Sequence, residues 1–223
     1  MDTTTNSRIE PYSPEWFKLR CGTFTASEAW KLMTEPRAKK DTISKTAETY
    51  ILEKVHEKIT GQMKMGIDNF ATQWGVEHEP LAAKWYAKLT GSEVGDPYME
   101  FHPQMDYFSC TPDRYVNNDG LIEIKCPANG SNHFKHCFIT NDEFFKNEHS
   151  EYYWQCQSQM AICKKDWCDF VSFDPRVNTD LGMFIYRLYK NTKDIELLET
   201  KVRESRELFD KFYVMFGSAD KNQ

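Results

Sequence analysis

The sequence has no apolar segment approaching the ~20 residues that a helix needs to cross a bilayer, and its first residues, MDTTTNSRIEP, do not resemble a signal peptide. It has no internal repeat and no low-complexity linker. Basic residues are not in excess, because 28 Lys and Arg are outnumbered by 34 Asp and Glu, for a formal net charge of −6. We therefore expect a cytoplasmic protein with no membrane anchor and no general polyanion-binding surface.

The seven cysteines include no Cys-x-x-Cys pair, and the motif His133-x-x-His136-Cys137 has no matching second half. Structural zinc sites use recognisable ligand pairs, so zinc is not expected. Most of the other cysteines fall in strand-like or helix-like segments, where a reduced cysteine packs as a small apolar side chain. This pattern indicates a reducing compartment.

The length and composition of the chain are sufficient for one good-sized domain. With 223 residues, of which 40% are hydrophobic and 14% aromatic, the chain can bury a substantial core, which excludes disorder. We expect a single domain over residues 1–223, with a short arm at about 1–13. Hydrophobic periodicity predicts helices over about 14–19, 25–33, 42–60, 68–89, 151–163 and 195–216, with a polar loop around Asn129. Strands are predicted over about 98–101, 107–110, 114–116, 121–125, 167–173 and 183–189. This order predicts an α/β (α+β) fold in which helices flank a mixed central sheet.

One pair of these strands is predicted to form a hairpin. Asn117-Asn118-Asp119-Gly120 is a turn signal between two strand-like segments. If Val116 pairs with Leu121 across the turn, Glu123 lies opposite Arg114. Side chains alternate along a strand, so residues two apart share one face and those between them point into the core.

The hairpin brings together two carboxylates and an amine. Glu123 and Lys125 share one face of their strand, Asp113 lies beside Glu123, and the carbonyl of Ile124 stands between the charged groups. A hard divalent cation such as Mg²⁺ prefers this setting of oxygen ligands, and Lys125 remains beside it as a separate positive charge. The alternative is a solvated hairpin with one polar face, because Asp-x9-Glu-x-Lys is a loose pattern.

An anion site is predicted where the helix expected over 25–33 begins. Thr25-Ala26-Ser27-Glu28 fits a capping box, and the unpaired N–H groups and positive dipole end of a helix start attract anions. Ser27 would add a hydroxyl and Arg20 a bidentate guanidinium. The alternative is that Ser27 is an ordinary first-turn residue and Arg20 a surface charge.

Two further polar side chains and a basic segment have two interpretations each. Glu79 shares a helix face with small and aromatic side chains, and it is either a third oxygen ligand, directly or through water, or an exposed glutamate. Gln157 lies on an otherwise apolar stripe, and it either orients water or substrate or is partly exposed. The segment Glu35-Pro36-Arg37-Ala38-Lys39-Lys40 is either a local basic surface or a solvated loop.

In this order, these segments resemble the phage lambda exonuclease (alkaline exonuclease) family, the YqaJ-like viral recombinase nucleases of the PD-(D/E)xK superfamily. The resemblance runs from about residue 16 to residue 176. The matching motifs are Trp16-x-x-x-Arg20-x-Gly22, Thr25-Ala26-Ser27-Glu28, Trp74-Gly75, Glu79, Pro112-Asp113, Glu123-Ile124-Lys125-Cys126-Pro127, Gln155-x-Gln157 and Asp174-Pro175-Arg176.

The resemblance implies a Mg²⁺-dependent 5′→3′ exonuclease with two metal ions per active site, for which Mn²⁺ can substitute. It would degrade the 5′-phosphorylated strand at the ends of double-stranded DNA and leave a 3′ overhang for a single-strand annealing protein. It would form a homotrimeric ring in the bacterial cytosol and be encoded by a phage or prophage. In such a ring, basic residues need line only the central channel, which accommodates the acidic net charge.

The resemblance also implies a role for each matching residue. The catalytic residues would be Asp113, Glu123, Lys125, Glu79 and Gln157. The metal would be held by Asp113, Glu123, the Ile124 carbonyl and Glu79, the last directly or through water. The 5′-phosphate and the DNA would be bound by Arg20, Ser27, Thr111, Thr25, Arg37 and Trp16. Lys125 would orient or deprotonate the attacking water, or stabilise the charge that develops on the phosphate, and Gln157 would help to position that water.

Two positions depart from the family pattern. Thr111 stands where the family often has serine, and Arg114 stands where it has glycine. An endonuclease of restriction or repair type within the same superfamily remains the alternative function. A catalytically inactive DNA-end-binding scaffold is disfavoured, because the set Asp113, Glu123 and Lys125 is complete.

Overall fold

The computed structural model describes residues 8–37, 43–64 and 69–217. Its α-helices are α1 (Pro14–Arg20), α2 (Lys45–Thr60), α3 (Phe70–Thr90), α4 (Gly130–His136), α5 (Asp142–Glu148), α6 (Ser150–Cys163) and α7 (Thr192–Gly217). Its strands are β1 (Phe24–Thr25), β2 (Val94–Gly95), β3 (Glu100–His102), β4 (Met105–Cys110), β5 (Arg114–Val116), β6 (Gly120–Lys125), β7 (Trp167–Phe173) and β8 (Met183–Tyr189). Short 3₁₀ helices span Ala26–Met33 and Asp180–Gly182.

The strands form two sheets. One contains β1, β4 and β3 in that order, and the other contains β2, β5, β6, β7 and β8. In the larger sheet β6 and β7 are parallel, whereas the other neighbouring pairs are antiparallel. A parallel pair needs a crossover connection, which α4, α5 and α6 supply. The prediction of a mixed sheet flanked by helices is confirmed.

Helices cover both faces of the larger sheet. On one face Ile122 and Ile124 of β6 pack with Ala82 and Tyr86 of α3. Because side chains alternate along β6, Glu123 points to the opposite face. There, residues of α6 and α7 form the main core with those of β6 and β7. The glutamate therefore enters a buried layer between the sheet and α6.

Some predicted elements differ from those in the structure. The strands at 167–173 and 183–189 have the predicted bounds. The predicted polar loop contains α4 and α5, which begin after the capping residues Asn129 and Asn141. Two-turn helices are too short to show a hydrophobic period, so their caps were the usable signal. The predicted helix starts at 42 and 68 lie outside the described residues.

The helix predicted over 25–33 is a 3₁₀ helix, and its predicted capping box does not form. Thr25 makes no side-chain cap hydrogen bond, and the Glu28 carboxylate binds Lys31 at 2.5 Å. Thr25 belongs to β1, whose parallel pairing with β4 sets its backbone before the helix begins. Strand pairing therefore fixes the backbone that leads into this helix, without a capping box.

In the described residues, the cysteines are not paired in disulfides and the histidines of the His133-x-x-His136 motif make hydrogen bonds. All seven cysteines carry free thiols. The Nδ1 atoms of His133 and His136 both lie 2.8 Å from Ser172 Oγ, so this histidine pair is used in hydrogen bonds. No helix in the described ranges is long and apolar enough to cross a membrane.

Candidate active site

The β5–β6 hairpin is shifted by one residue from the expected pairing. Val116 pairs with Gly120, and Arg114 pairs with Ile122. Asn117 has a left-handed backbone, with φ of 48°, and the chain reverses through residues 117–119. A three-residue reversal with one left-handed residue replaces the four-residue turn that the expected pairing required. The prediction that Arg114 lies opposite the glutamate of β6 is therefore wrong.

The shift places Asp113 beside the Glu-Ile-Lys segment. Its Oδ2 accepts a hydrogen bond from the main-chain nitrogen of Ile124 at 2.6 Å. Glu123 is only 1% exposed, and its Oε1 accepts a hydrogen bond from Lys125 Nζ at 2.5 Å. The two carboxylates and the amine that the sequence predicted are thus brought together at the end of β6.

The group formed by Asp113, Glu123 and Lys125 contains two carboxyl groups but only one amine. Burial, and then the neighbouring charge of Glu123, raise the pKa of Asp113 well above its usual range. Burial works against the charge of Lys125, but attraction to Glu123 and Asp113 outweighs it and raises the pKa of the amine. The lysine therefore stays protonated, and a further cation beside the carboxylates would relieve their repulsion.

The oxygen ligands suit a hard divalent cation that keeps part of its water shell. Proteins hold Mg²⁺ with one or two carboxylates, several waters and the phosphates of the substrate. Across the described ranges, no group of three or more His, Cys, Asp or Glu side chains could hold a metal ion by itself. Asp113 and Glu123 fit Mg²⁺ as its two carboxylate ligands, provided that main chain, water and DNA complete the shell.

Glu79 lines the same site, but its carboxylate is engaged by an arginine. Arg114 Nη1 donates to Glu79 Oε1 at 2.9 Å and also to the main-chain oxygen of Asp113. The Glu79 side chain is 33% exposed, so it can reach solvent at the cavity wall. Arg114, the departure from the family glycine, thus ties α3 to the start of the hairpin.

A cavity of about 1040 Å³ joins the carboxylates to the predicted anion site. Its lining includes Trp16, Arg20, Ser27, Glu79, Thr111, Asp113, Glu123, Lys125 and Gln155. Trp16 Nε1 donates to Thr111 Oγ1 at 2.9 Å, and the Arg20 guanidinium carbon lies 4.7 Å from the Trp16 ring centroid. The tryptophan therefore holds a cation and a hydroxyl on one wall of the cavity.

Helix α1 ends at Arg20, and the turn that follows it packs closely against α2. Gly22 has φ of +75°, and a Cβ at this position would lie 2.9 Å from Lys58 Cβ. The Gly22 amide donates to Glu57 Oε2 at 3.1 Å. Only glycine combines this conformation with so close an approach, so Gly22 sets how the turn after α1 sits on α2.

Two predicted DNA-binding residues lie outside the lining of this cavity. Thr25 is fully buried, and its Oγ1 lies 3.3 Å from Ser27 Oγ, so it is hydrogen-bonded to the serine rather than exposed to the cavity. Arg37 is exposed and is the last described residue before a gap. The lysines at 39 and 40 in the predicted basic segment lie outside the described residues.

Gln157, the glutamine singled out from the sequence, is not at the site. Its Nε2 donates to the Tyr189 carbonyl at 3.1 Å, and its Oε1 accepts from the Asn191 amide at 2.9 Å. Successive residues of a helix are rotated by about 100°, so Gln157 points away from the face that carries the residues two positions before and after it. The prediction that Gln157 orients the attacking water is wrong for this reason.

Two other glutamines of α6 face the site: Gln155, which the matching motif includes but to which no role was assigned, and Gln159, which sequence reasoning missed. Gln155 lines the cavity, and Gln159 Nε2 donates to Glu123 Oε2 at 2.6 Å. Their spacing of four residues is the signal that identifies a common helix face. The ring of Tyr152, three residues before Gln155, lies 5.1 Å from Lys125 Nζ on the same side.

A second cavity, of about 650 Å³, meets the first at Glu79, Asp113 and Lys125. Its wall includes the polar and basic side chains Asn129, Asn132, Lys135, His136, His149 and Tyr152. Burial, and then the neighbouring His149, lower the pKa of His136 to about 3, so this wall keeps a neutral imidazole at ordinary pH. Asp113 and Lys125 therefore lie where the two cavities join.

A mixed sheet flanked by helices, with a hairpin that presents Asp113, Glu123 and Lys125 to a cleft, defines the class of PD-(D/E)xK nucleases. The model of the YqaJ-like viral recombinase domain matches residues 15–166. A comparison with curated protein sequences gives no significant match. The chain belongs to the YqaJ-like viral recombinase domain family.

Solved structures agree with this family. The alkaline exonuclease LHK-Exo from Laribacter hongkongensis is 31% identical over 93% of this chain and 97% of that chain, with a TM-score of 0.78. Its complex with dAMP gives 32% identity over the same shares of both chains and the same TM-score. A phage-related exonuclease from Haemophilus somnus 129PT, 20% identical over 87% of this chain and 96% of that chain, shares the fold with a TM-score of 0.71. The protein is accordingly an enzyme of the deoxyribonuclease class.

Proposed function

We propose that this deoxyribonuclease is a Mg²⁺-dependent 5′→3′ exonuclease that degrades the 5′-phosphorylated strand of double-stranded DNA. One observation carries the proposal. The lining of a single cavity contains both the carboxylate pair with its lysine and the Arg20, Ser27 and Thr111 groups. The first set suits hydrolysis of a phosphodiester, and the second suits recognition of a terminal phosphate.

Asp113 and Glu123 are the proposed carboxylate ligands, with the Ile124 carbonyl between them. When bound there, Mg²⁺ or Mn²⁺ supplies Lewis-acid stabilisation of the phosphate and lowers the pKa of the attacking water. Two ions per site are proposed from the family resemblance. Glu79 would assist, directly or through water, once DNA or metal draws it from Arg114.

Lys125 is proposed to act as a fixed positive charge. Its pKa is raised overall by Glu123 and Asp113 against the effect of burial, which favours a protonated amine. A protonated amine cannot remove a proton from water, but it stabilises negative charge that builds on the phosphate oxygens. The Tyr152 ring, 5.1 Å from Nζ, holds the amine on the side of the site that faces α6.

The terminal phosphate is proposed to bind between Arg20, Ser27 and Thr111. An arginine binds a phosphate with two parallel hydrogen bonds, and hydroxyls donate to the remaining oxygens. Trp16 stacks on Arg20 and donates to Thr111, which limits the motion of both. LHK-Exo, to which this chain is similar, binds dAMP, a nucleoside monophosphate of the kind that exonucleolytic hydrolysis releases.

The wider biology is proposed from the same resemblance. The 3′ overhang would be passed to a single-strand annealing protein in phage-type recombination, in the cytosol of a bacterium. The functional unit would be a homotrimeric ring of single-domain chains spanning residues 1–223. Arg37 would contact the DNA outside the cavity, where its exposed side chain is accessible.

The test is digestion of three matched duplexes with and without Mg²⁺. One is linear with 5′-phosphates, one is linear with 5′-hydroxyls and one is covalently closed. We expect Mg²⁺-dependent release of mononucleotides from the 5′-phosphorylated linear duplex, slower release from the hydroxyl form and none from the closed circle. A chelator control tests the metal. Cleavage of closed circles as readily as linear DNA would establish the endonuclease alternative instead.

A further inference from the structure

The carboxylate of Glu123 is held at both of its oxygens. Lys125 donates to Oε1 at 2.5 Å, and Gln159 Nε2 donates to Oε2 at 2.6 Å. Glu123 and Gln159 are each 1% exposed, so water cannot readily replace the glutamine as the donor. The donor is uncharged, so it orients the carboxylate without neutralising it.

The direction of the Gln159 amide is set from its other end. Cys168 Sγ donates to Gln159 Oε1 at 3.8 Å, from the strand next to β6. Burial, and then Cys156, raise the pKa of the Cys168 thiol well above its ordinary value, so the thiol keeps the proton that it donates. With a donor at its oxygen, the amide is fixed in the orientation that presents its NH₂ group to Glu123.

We infer that Gln159 is a positioning residue that orients the Glu123 carboxylate for metal binding. This inference rests on the proposed function, in which Glu123 is a metal ligand. With Oε2 occupied by the amide, the carboxylate cannot rotate about its terminal bond, and the Oε1 edge stays turned toward Lys125 and Asp113. Hydrogen bonds of this kind, to the side chain that holds a metal, commonly change metal affinity by about 10–100-fold.

The neighbouring Gln157 shows what a purely structural glutamine looks like on the same helix. Gln157 is fully buried, and the two ends of its amide bind the main chain of Tyr189, the last residue of β8, and of Asn191, just before α7. Its replacement removes two hydrogen bonds but none that involves a carboxylate. Gln157→Leu is therefore a matched control for Gln159→Leu in residue type, helix and burial.

The experiment measures binding of Mn²⁺ to the full chain by isothermal titration calorimetry, without DNA and without turnover. Gln159→Leu should raise the Kd for Mn²⁺ by about 10-fold or more, whereas Gln157→Leu should leave the Kd unchanged even if it lowers the melting temperature. A Kd for Gln159→Leu equal to that of the wild type would overturn the inference. If Gln159→Leu does not fold, Gln159→Met gives the same comparison with a more adaptable side chain.

A double substitution separates this inference from the proposed function. Glu123→Gln should itself weaken Mn²⁺ binding, and adding Gln159→Leu should cause no further loss, because the glutamine acts through Glu123. Additive losses would overturn the positioning role. If Glu123→Gln does not change the Kd, the proposed metal site fails and the inference fails with it. If only Glu123→Gln weakens binding, the site stands and Gln159 has no positioning role.

Discussion

Replacing Lys125 with methionine tests the charge assigned to the centre of the site. The substitution keeps an unbranched side chain that is one heavy atom shorter, and it removes the ammonium that lies 2.5 Å from Glu123 Oε1. Hydrolysis should slow by about 100-fold or more, since one preorganised charge contributes roughly 2.7 kcal/mol to the barrier. Binding of DNA ends should persist, because Arg20 and Ser27 line the cavity without contacting Lys125, whose ion pair is with Glu123.

Lys125→Met should lower the stability of the fold but should not weaken the binding of a divalent cation. Glu123 is 1% exposed and would lose an ionic partner, although Lys125 itself is 27% exposed, so a stability loss of about 1–3 kcal/mol is expected. Removing a positive charge beside the carboxylates should not weaken binding of a divalent cation. Mg²⁺ should therefore raise the melting temperature of the variant more than that of the wild type.

The assay is single-turnover hydrolysis of a 5′-phosphorylated duplex at saturating Mg²⁺, with end binding followed by fluorescence anisotropy. Lys201→Met is the matched control, because it removes a lysine whose pairing with Glu204, at 3.3 Å, lies on the exposed surface of α7. Its rate should be that of the wild type. Near-normal turnover in Lys125→Met, or an equal loss in Lys201→Met, would refute the assignment.

Three further predictions concern Arg20, the turn that follows it and the histidine of the second cavity. Arg20→Ala should remove the preference for 5′-phosphate over 5′-hydroxyl ends in a competition digest. The control Arg203→Ala, which breaks an exposed ion pair on α7, should keep this preference. A preference retained in Arg20→Ala would exclude Arg20 from the pocket. Gly22→Ala should lower the free energy of unfolding, measured in urea, by about 1–3 kcal/mol more than Gly61→Ala. Both glycines have positive φ, but only a Cβ at position 22 would clash with Lys58. Equal losses in the two variants would contradict the packing argument. His136 has its pKa lowered from 6.5 to about 3 by burial, so the unfolded chain takes up a proton first and stability should fall as the pH drops from 6.5 toward 3. His136→Asn should flatten that fall in pH-dependent denaturation, and an unchanged slope would place the titration elsewhere.

The β5–β6 hairpin shows which parts of the site could be predicted from the sequence and which could not. Strand alternation placed Glu123 and Lys125 on one face, and the structure agrees, with a direct contact between them. The pairing register was off by one residue, because turn residues indicate that a chain reverses but do not state how many residues it uses. That single residue decides which group Asp113 faces, and in the structure it faces the Ile124 amide.

The glutamines of α6 show a different limit. The sequence offers Gln155, Gln157 and Gln159 within five residues, and nearly every side chain of this helix is buried, so no amphipathic stripe distinguishes the face toward β6. Periodicity reports which face of a helix is apolar, not which of two buried faces meets a catalytic strand. Only the packing of α6 between the sheet and its neighbours selects Gln155 and Gln159.

The sequence by itself determined the fold class, the order of most elements, the family and the carboxylate–lysine set, because these follow from local periodicity and from motifs whose spacing is short. The tertiary structure decided how distant segments meet. It brought Arg20 and Ser27 into one cavity with Asp113 and Glu123, paired Glu79 with Arg114, and placed Gln159 behind Glu123. Such contacts join residues far apart in the chain, and their geometry depends on the close packing of whole elements, which no local pattern encodes.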